Sequence, residues 1–549
     1  MVSPAPITRL PTHEVTNQPP PLPAYNLFER DLVLREALAR EGGAWATDTV
    51  AALGAVMGRP ETLELANQAN RHKPELRAFN RYGQRIDEVE FHPAYHALME
   101  IAIGHEISAI AWTADQPGHV VHTALEYLFA QIEGGVCCPV TMTYAAVPVL
   151  QKSSELKTDW LTKVTSATYD PAVAPVSEKK GATIGMAMTE KQGGSDVRTN
   201  TTAASPLDAG WYALTGHKWF CSAPMSDGFL TLAQAPGGLS CFFVPRWRPD
   251  GTRNPFFIQR LKDKLGNWSN ASSEIEYHDT WGLLVGEEGR GIATIMTMVH
   301  HTRLDTAMAP AALMRQALVQ AIHHVRHRTA FQKKLIDQPL MRRVLADMAL
   351  DSAAATMLLM RVARGYDEAA SSSDGAGYAR LAVAVAKYWL NKQAPNFVYE
   401  AMECFGGVGY VEETIMPRLY REAPLNSIWE GSGNVICLDV LRAINRDPGA
   451  LDAVLGDLAA ATGADRTFDT ALTRFQNAVA DTSDPEGRAR SLTEQLALLL
   501  QASLMIRHAP PALADAFVAT RLGGEHGRTF GTIPASVDCD SILGHAWPE

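Results

Sequence analysis

NSIWEGSGN, residues 426–434, contains one carboxylate, Glu430, preceded by Ile428 and Trp429 and followed by Gly431, Ser432 and Gly433. Two chemistries fit it. A glutamate in a turn ahead of a helix is ordinarily solvated; in apolar surroundings its carboxyl is lifted toward working pH and serves as a general base. A second cluster is MTEKQGGSDV (188–197). Gly193 and Gly194 let backbone N–H groups approach an anionic ligand, and Thr189 and Ser195 can donate hydrogen bonds. A polar hairpin turn is the plain alternative. GGVGY (406–410) has the glycines of a dinucleotide turn but follows a helical stretch, so a helix-ending glycine turn near a ligand or another helix reads better. His323 and His327 in HHVRH are four apart on one helical face, and His300–His301 are adjacent. With no HExxH arrangement, a solvated face is favoured and no metal site is expected. No GxSxG elbow or P-loop occurs.

The elements that must position these groups follow from composition and texture. At 549 residues the chain exceeds what one compact core organises, so several domains are expected. Seven cysteines without zinc or redox spacing suit a reducing, cytoplasmic compartment. No signal peptide is read at the N-terminus, and no apolar run approaches the roughly 20 residues of a membrane span. A net charge of −11 argues against a surface that coats nucleic acid as a whole. Residues 1–25, with PPPLP at 19–23, read as an extended arm, and helical spacing dominates from about 30 to 180. Between 186 and 290 short aromatic and β-branched runs separated by Gly, Pro, Asn and Asp indicate a central antiparallel β domain. Long amphipathic helices fill 291–446, the third after a Ser/Gly-rich break at 371–377, and indicate a bundle. The expected domains are therefore 1–185, 186–290, 291–446 and an extension, 447–549, helical at first and irregular after about 523. The class is α+β and mostly helical.

MTEKQGGSDV, GHKWF, the span from Arg328 to Met348, CFGGVGY and SIWEGSGN, in this order, resemble the successive signatures of the acyl-CoA dehydrogenase family. NQPPPLPAYNL, RLKDKLGNWSNAS and LYREAPLNSIWEGSGN bring the chain nearest to the AidB-like members, flavoproteins of the response to DNA alkylation, which also carry a C-terminal extension. The resemblance implies non-covalent FAD between the β domain and the bundle. By residue, Met188, Thr189, Gly194 and Ser195 would line the flavin, with Phe220 against the isoalloxazine and Ser222 near N5. Arg328, Phe331 and Gln338 would reach the FAD of a neighbouring subunit, in a homotetramer built as a dimer of dimers. Trp429, Ser432, Asn434, Glu403, Gly406 and Gly407 would complete the cofactor set. Glu430 would be the base that takes the α-proton of an acyl-CoA thioester, and Arg303 a substrate residue. Two positions depart from the pattern: Glu403 stands where many relatives have glutamine, and Gln332 where many have glycine.

Three functions stay open at this level. One is an AidB-like protein that binds FAD and double-stranded DNA with weak dehydrogenase activity. Another is a metabolic dehydrogenase of short or branched acyl chains without a DNA role, and the third is a flavin oxidase or monooxygenase. In residues 447–549 seven arginines and no lysine face fourteen Asp and Glu, a balance of 7 − 14 = −7. Such a region repels DNA on average. A DNA role would therefore need a local patch, for which Arg442, Arg446 and Arg521 are the candidates, with Arg528 adding to it. The alternative for Arg442 is a pair with Asp439 one turn away.

Overall fold

The computed structural model describes residues 5–547. Helices make up the N-terminal part, but not all of it. Strands β1 (Glu75–Phe79) and β2 (Arg85–Glu90) form an antiparallel hairpin inside the stretch expected to be helical. ELRAF alternates exposed and partly buried positions, RIDEVE is partly buried along most of its length with Asp87 buried, and the two flank an Asn80–Gly83 turn. The hairpin docks on the β domain, where Arg85 donates to the Ile258 carbonyl at 2.7 Å.

The β domain contains β3 (Ile184–Ala187), β4 (Ala203–Pro206), β5 (Trp211–Ser222), β6 (Gly228–Ala235), β7 (Gly238–Pro245), β8 (Phe256–Leu261) and β9 (Ser272–Val285). Pairings β6–β7, β7–β9, β9–β5 and β5–β4 are antiparallel, and β4 returns to β6 through Ala203 and Gln234. The expectation of an antiparallel sheet needs one correction: β3 and β4 both run parallel to β6. The reason is topological. Forty residues separate β3 from β6, long enough to allow a parallel crossover that no tight turn permits. Entering in this direction, β3 delivers its C-terminal end, and hence Met188–Ser195, to the interior face.

One ion pair pins that loop. Lys218, fully buried in β5, donates to Glu190 Oε1 at 2.9 Å and to the Leu232 carbonyl at 2.7 Å. Glu190 also accepts the backbone N–H groups of Thr201 and Thr202. Burial alone would raise its pKa, but Lys218 and these donors outweigh burial and hold it at about 2. A buried charge pair satisfied at every lone pair holds its backbone rigidly, because breaking either half strands the other.

The bundle has three long helices, Gly291–His327, Pro339–Glu368 and Ser373–Glu403. The third begins inside the Ser/Gly-rich segment, with Ser372 capping it by accepting from Gly375 N. Thr329–Ala330 and Lys333–Lys334 pair across a two-residue turn, Phe331–Gln332, with φ of 51° and 64°. Such a turn favours Asn-Gly, so glutamine rather than glycine at 332 carries strain.

The extension folds back onto the bundle through Pro448–Ala459 and Pro485–His508, with Arg466–Ala480 packed on the latter. It is irregular after 523, as expected, but ends in a further short helix, Cys539–Ala546. Asp457 binds Arg361 at 3.0 Å and Arg507 at 3.2 Å, and Gln501 accepts from Trp389 at 3.0 Å. Arg521, expected on a DNA-facing patch, is instead 7% exposed and bonded to Asp347 at 2.6 Å and Asp351 at 2.9 Å. Two buried carboxylates demand this cation, which has no face left for a phosphate.

Candidate active site

A cavity of about 1150 Å³ opens between the β domain and the bundle. Its wall carries Met188, Thr189, Gly194, Ser195, Phe220, Ser222, Trp429, Glu430 and Ser432. The 188–195 loop, the end of β5 and the 426–432 segment therefore meet there, although some 240 residues separate the first from the last. Phe220 presents a half-exposed ring to this space, at 52% accessibility, with Lys262 Nζ 4.7 Å from its centroid. An apolar plate beside hydroxyls from Thr189, Ser195 and Ser222 matches a flat, amphipathic heterocycle.

Glu430 is held by two elements. Its backbone has φ 56°, a left-handed conformation costly for a side-chain-bearing residue. Gly431 follows at φ 103°, where an added Cβ would lie 2.9 Å from Ile436. Lys387, buried in the Ser373–Glu403 helix, donates to the carbonyl oxygens of Asn426 (3.0 Å), Trp429 (3.0 Å) and Gly431 (2.8 Å). Three carbonyls turned onto one ammonium fix the loop in the conformation that its φ angles resist. Burial draws the Lys387 pKa down to about 7, against the pull of the nearby Glu430 carboxylate.

The Thr302 hydroxyl lies 2.8 Å from Glu430 Oε2 and 3.0 Å from the Val299 carbonyl, sharing one hydrogen between two acceptors. Burial raises the Glu430 pKa, opposed by Thr302, Lys387 and Arg303. Glu430 is thus half-buried, single-hydrogen-bonded and open to the cavity, with a raised pKa, which is how a carboxylate is prepared to take a proton. The sequence reading missed Thr302 and Lys387. Neither has a local signature, since each acts on a loop distant in the chain.

Arg303 also lines the cavity, but Asp439 accepts from its Nη1 at 2.7 Å. Asp439 further binds Arg380 at 2.8 Å and Arg442 at 3.2 Å. Burial would raise Asp439; Arg303 and Arg380 override it and hold the carboxyl below its usual range. Arg442, 59% exposed, therefore does pair with Asp439, and with Arg446 it borders the cavity's outer rim.

The remaining expected cofactor residues lie elsewhere. Arg328 donates to the Asn17 carbonyl and Gln338 to Ala330 O at 3.3 Å, while Phe331 is 93% exposed at its hairpin tip. His324 stacks on Phe405 at 4.3 Å, joining this hairpin's root to the exposed Glu403, Gly406 and Gly407 turn. Asn434 accepts from Arg490 of the extension at 2.8 Å. His323 and His327 each bond a backbone carbonyl, that of Pro20 and of His323 respectively. A cluster the sequence reading did not single out, His122, Glu126 and Asp305, is brought together on the inner wall. Its one sequence signal was the i, i+4 pair in HTALE.

Comparison with known proteins agrees with this architecture. Residues 17–171 match the adaptive response protein AidB N-terminal domain, 185–280 the acyl-CoA dehydrogenase middle domain, and 289–445 the acyl-CoA dehydrogenase C-terminal domain. The chain is 47% identical over 519 residues to AidB of Escherichia coli K12, covering 94% of this chain and 95% of that one. It is 33% identical over 441 residues to acyl-CoA dehydrogenase family member 11 of Caenorhabditis elegans, covering 76% and 70%. The solved structure of the C. elegans protein ACDH-11, in complex with C11-CoA, superposes with a TM-score of 0.84 at 28% identity, covering 94% and 93%.

If Lys387 holds the 426–431 loop, Lys387→Met will free it, because each carbonyl left buried without a partner costs about 1–3 kcal/mol. Hydrogen exchange at residues 426–433 should accelerate at least about tenfold, since 1.4 kcal/mol is a factor of ten, while the helix centres stay protected. Unchanged protection there would show that other contacts hold the loop.

Proposed function

The chain belongs to the acyl-CoA dehydrogenase family, and from that premise we propose that Glu430 abstracts the α-proton of an acyl-CoA thioester in an AidB-like, FAD-dependent oxidoreductase with weak activity. The observation that carries this reading is a half-buried carboxylate of raised pKa, locked at positive φ on a cavity wall.

The residues present fit FAD. Met188, Thr189, Gly194, Ser195, Phe220, Ser222, Trp429 and Ser432 would hold it on the cavity side, with Asn434 at the same helix N-terminus. FAD when bound supplies the acceptor for the substrate's β-hydride. The chain's own share is the proton. Glu430 takes it from Cα, its backbone N–H donates to the thioester oxygen as negative charge develops, and Thr302 steadies the carboxylate. A thioester filling the cavity would keep water from the acidified carbon.

The ionised form of Glu430 is the active one, and burial raises its pKa. Flavin reduction should therefore increase with pH along a limb centred above the ordinary carboxylate range. Anaerobic mixing with a panel of short and branched acyl-CoAs, followed by flavin absorbance, measures this directly. Slow, partial bleaching by several thioesters supports the AidB-like reading. Rapid, complete bleaching by one of them favours the metabolic dehydrogenase, and none with intact FAD removes both.

Assembly and DNA binding extend this proposal. Phe331, Leu340, Tyr399, Val408 and Tyr410 are exposed apolar side chains on the bundle's outer surface, more than a monomer leaves in water without use. They support a homotetramer in which Arg328, Phe331, Gln338, Glu403, Gly406 and Gly407 approach a neighbour's FAD. With Arg521 buried, double-stranded DNA would meet Arg442 and Arg446 at the cavity rim, repeated by symmetry. A cytoplasmic location suits a DNA partner, and among the described residues no helix is long and apolar enough to cross a membrane. Sedimentation should give a tetramer, and gel shifts should show sequence-independent binding that weakens with salt. Arg442→Ala/Arg446→Ala should reduce the shift without loss of FAD. A monomer holding stoichiometric FAD contradicts the assembly, and no shift by wild type at low salt contradicts the DNA role.

A further inference from the structure

A second polar cluster lies on the cavity's inner wall, one turn along the Gly291–His327 helix from Thr302. His122 and Glu126, four apart on the His119–Ala130 helix, face Asp305 across the helix interface. His122 Nε2 is 2.9 Å from Asp305 Oδ1 and 3.4 Å from Glu126 Oε2, and one ligand atom of each residue lies within 4.8 Å of the others. All three side chains are buried, at 0%, 1% and 3% exposure.

The protonation pattern of His122 follows from its other nitrogen. Nδ1 is 2.6 Å from the Ile107 carbonyl oxygen, which only accepts, so Nδ1 carries a hydrogen, and the 2.9 Å contact between Nε2 and Asp305 Oδ1 holds a second proton that a metal ion would displace. With that proton displaced, Nε2 and the two carboxyl groups are electron-pair donors converging on one point. Glu126 Oε2 and Asp305 Oδ2 are buried without a hydrogen-bond partner, and both residues line the cavity. The groups are also oriented from behind. Tyr144 stacks on the imidazole at 3.7 Å, and Thr141 donates to Glu126 Oε1 at 2.8 Å. A backbone carbonyl on the far nitrogen of a histidine and a hydroxyl on a carboxylate are the supports that ligating side chains receive.

We propose that His122, Glu126 and Asp305 bind one divalent transition-metal cation, of which Zn²⁺ is the representative, at a site open to the cavity. Two carboxylates and a neutral imidazole match a doubly positive ion of borderline softness. Around zinc at about 2.0–2.2 Å, tetrahedral ligand atoms stand roughly 3.3–3.5 Å apart. The observed 2.9 and 3.4 Å need only a small opening to reach this. The cavity supplies the fourth position, for water or an oxygen of the acyl group. The site is independent of the role given to Glu430.

The test uses full-length protein with FAD bound, stripped by a chelator, incubated with Zn²⁺, desalted and assayed by atomic emission. Wild type and His323→Ala/His327→Ala should each retain one equivalent per chain. Glu126→Gln/Asp305→Asn, near-isosteric at both positions, should retain less than a tenth of that. Added Zn²⁺ should raise the melting temperature of wild type and leave the double variant unmoved. Failure of wild type to retain zinc, or equal retention by the double variant, overturns the proposal and leaves protons as the occupants. Should the double variant not fold, Co²⁺ on wild type decides. Ligand-field bands of a low-coordinate site support the proposal, and a hexa-aqua spectrum overturns it.

Discussion

The site depends on one ammonium group. Lys387 sits in the core of the bundle and gathers three carbonyl oxygens from the 426–431 loop. Without it those carbonyls would be buried and unsatisfied, and the left-handed backbone at Glu430 would have no reason to persist. The ammonium does electrostatic work as well. It lies near enough to Glu430 to favour the ionised carboxylate, countering part of the burial that raises it. One residue thus sets both where the Glu430 carboxylate points and how readily it is charged.

The rest of the cavity follows the same rule: buried, paired charges anchor irregular backbone. Lys218 and Glu190 fix the 188–195 loop from the β-domain side. Asp439 gathers Arg303, Arg380 and Arg442 on the bundle side. Such pairs add little net stability over apolar packing, but a loop tied to them has a single geometry. The proposed binding of a flat cofactor and a thioester in register would benefit from that trade. The cluster of His122, Glu126 and Asp305 differs, because two of its oxygens remain without partners.

Much of this was legible in the sequence. Glu430 stood out because its neighbours are apolar or glycine, and the 188–195 loop because glycines and hydroxyls cluster there. Texture alone separated the β domain from the helices. What sequence could not give was anything made by two distant segments. The β1–β2 hairpin was hidden because its strands carry charges that pair with the β domain rather than an apolar stripe. The parallel course of β3 is a property of topology, not of its four residues. Arg521 looked like a surface arginine because nothing nearby in sequence shows that Asp347 and Asp351 wait for it. Lys387 and Thr302 carry no motif, since each matters only through the loop it touches.

The central claim is that Glu430 is the group that accepts the proton. Glu430→Gln keeps the size of the side chain and its hydrogen bond with Thr302, but removes the basic oxygen. Anaerobic stopped-flow of this variant with an acyl-CoA that reduces wild type is the direct measurement. The account predicts unchanged FAD content and a reduction rate lower by about 10²–10⁴-fold, the usual contribution of a general base. Reduction at the wild-type rate by a variant that holds full FAD would contradict it and place the base elsewhere on the cavity wall.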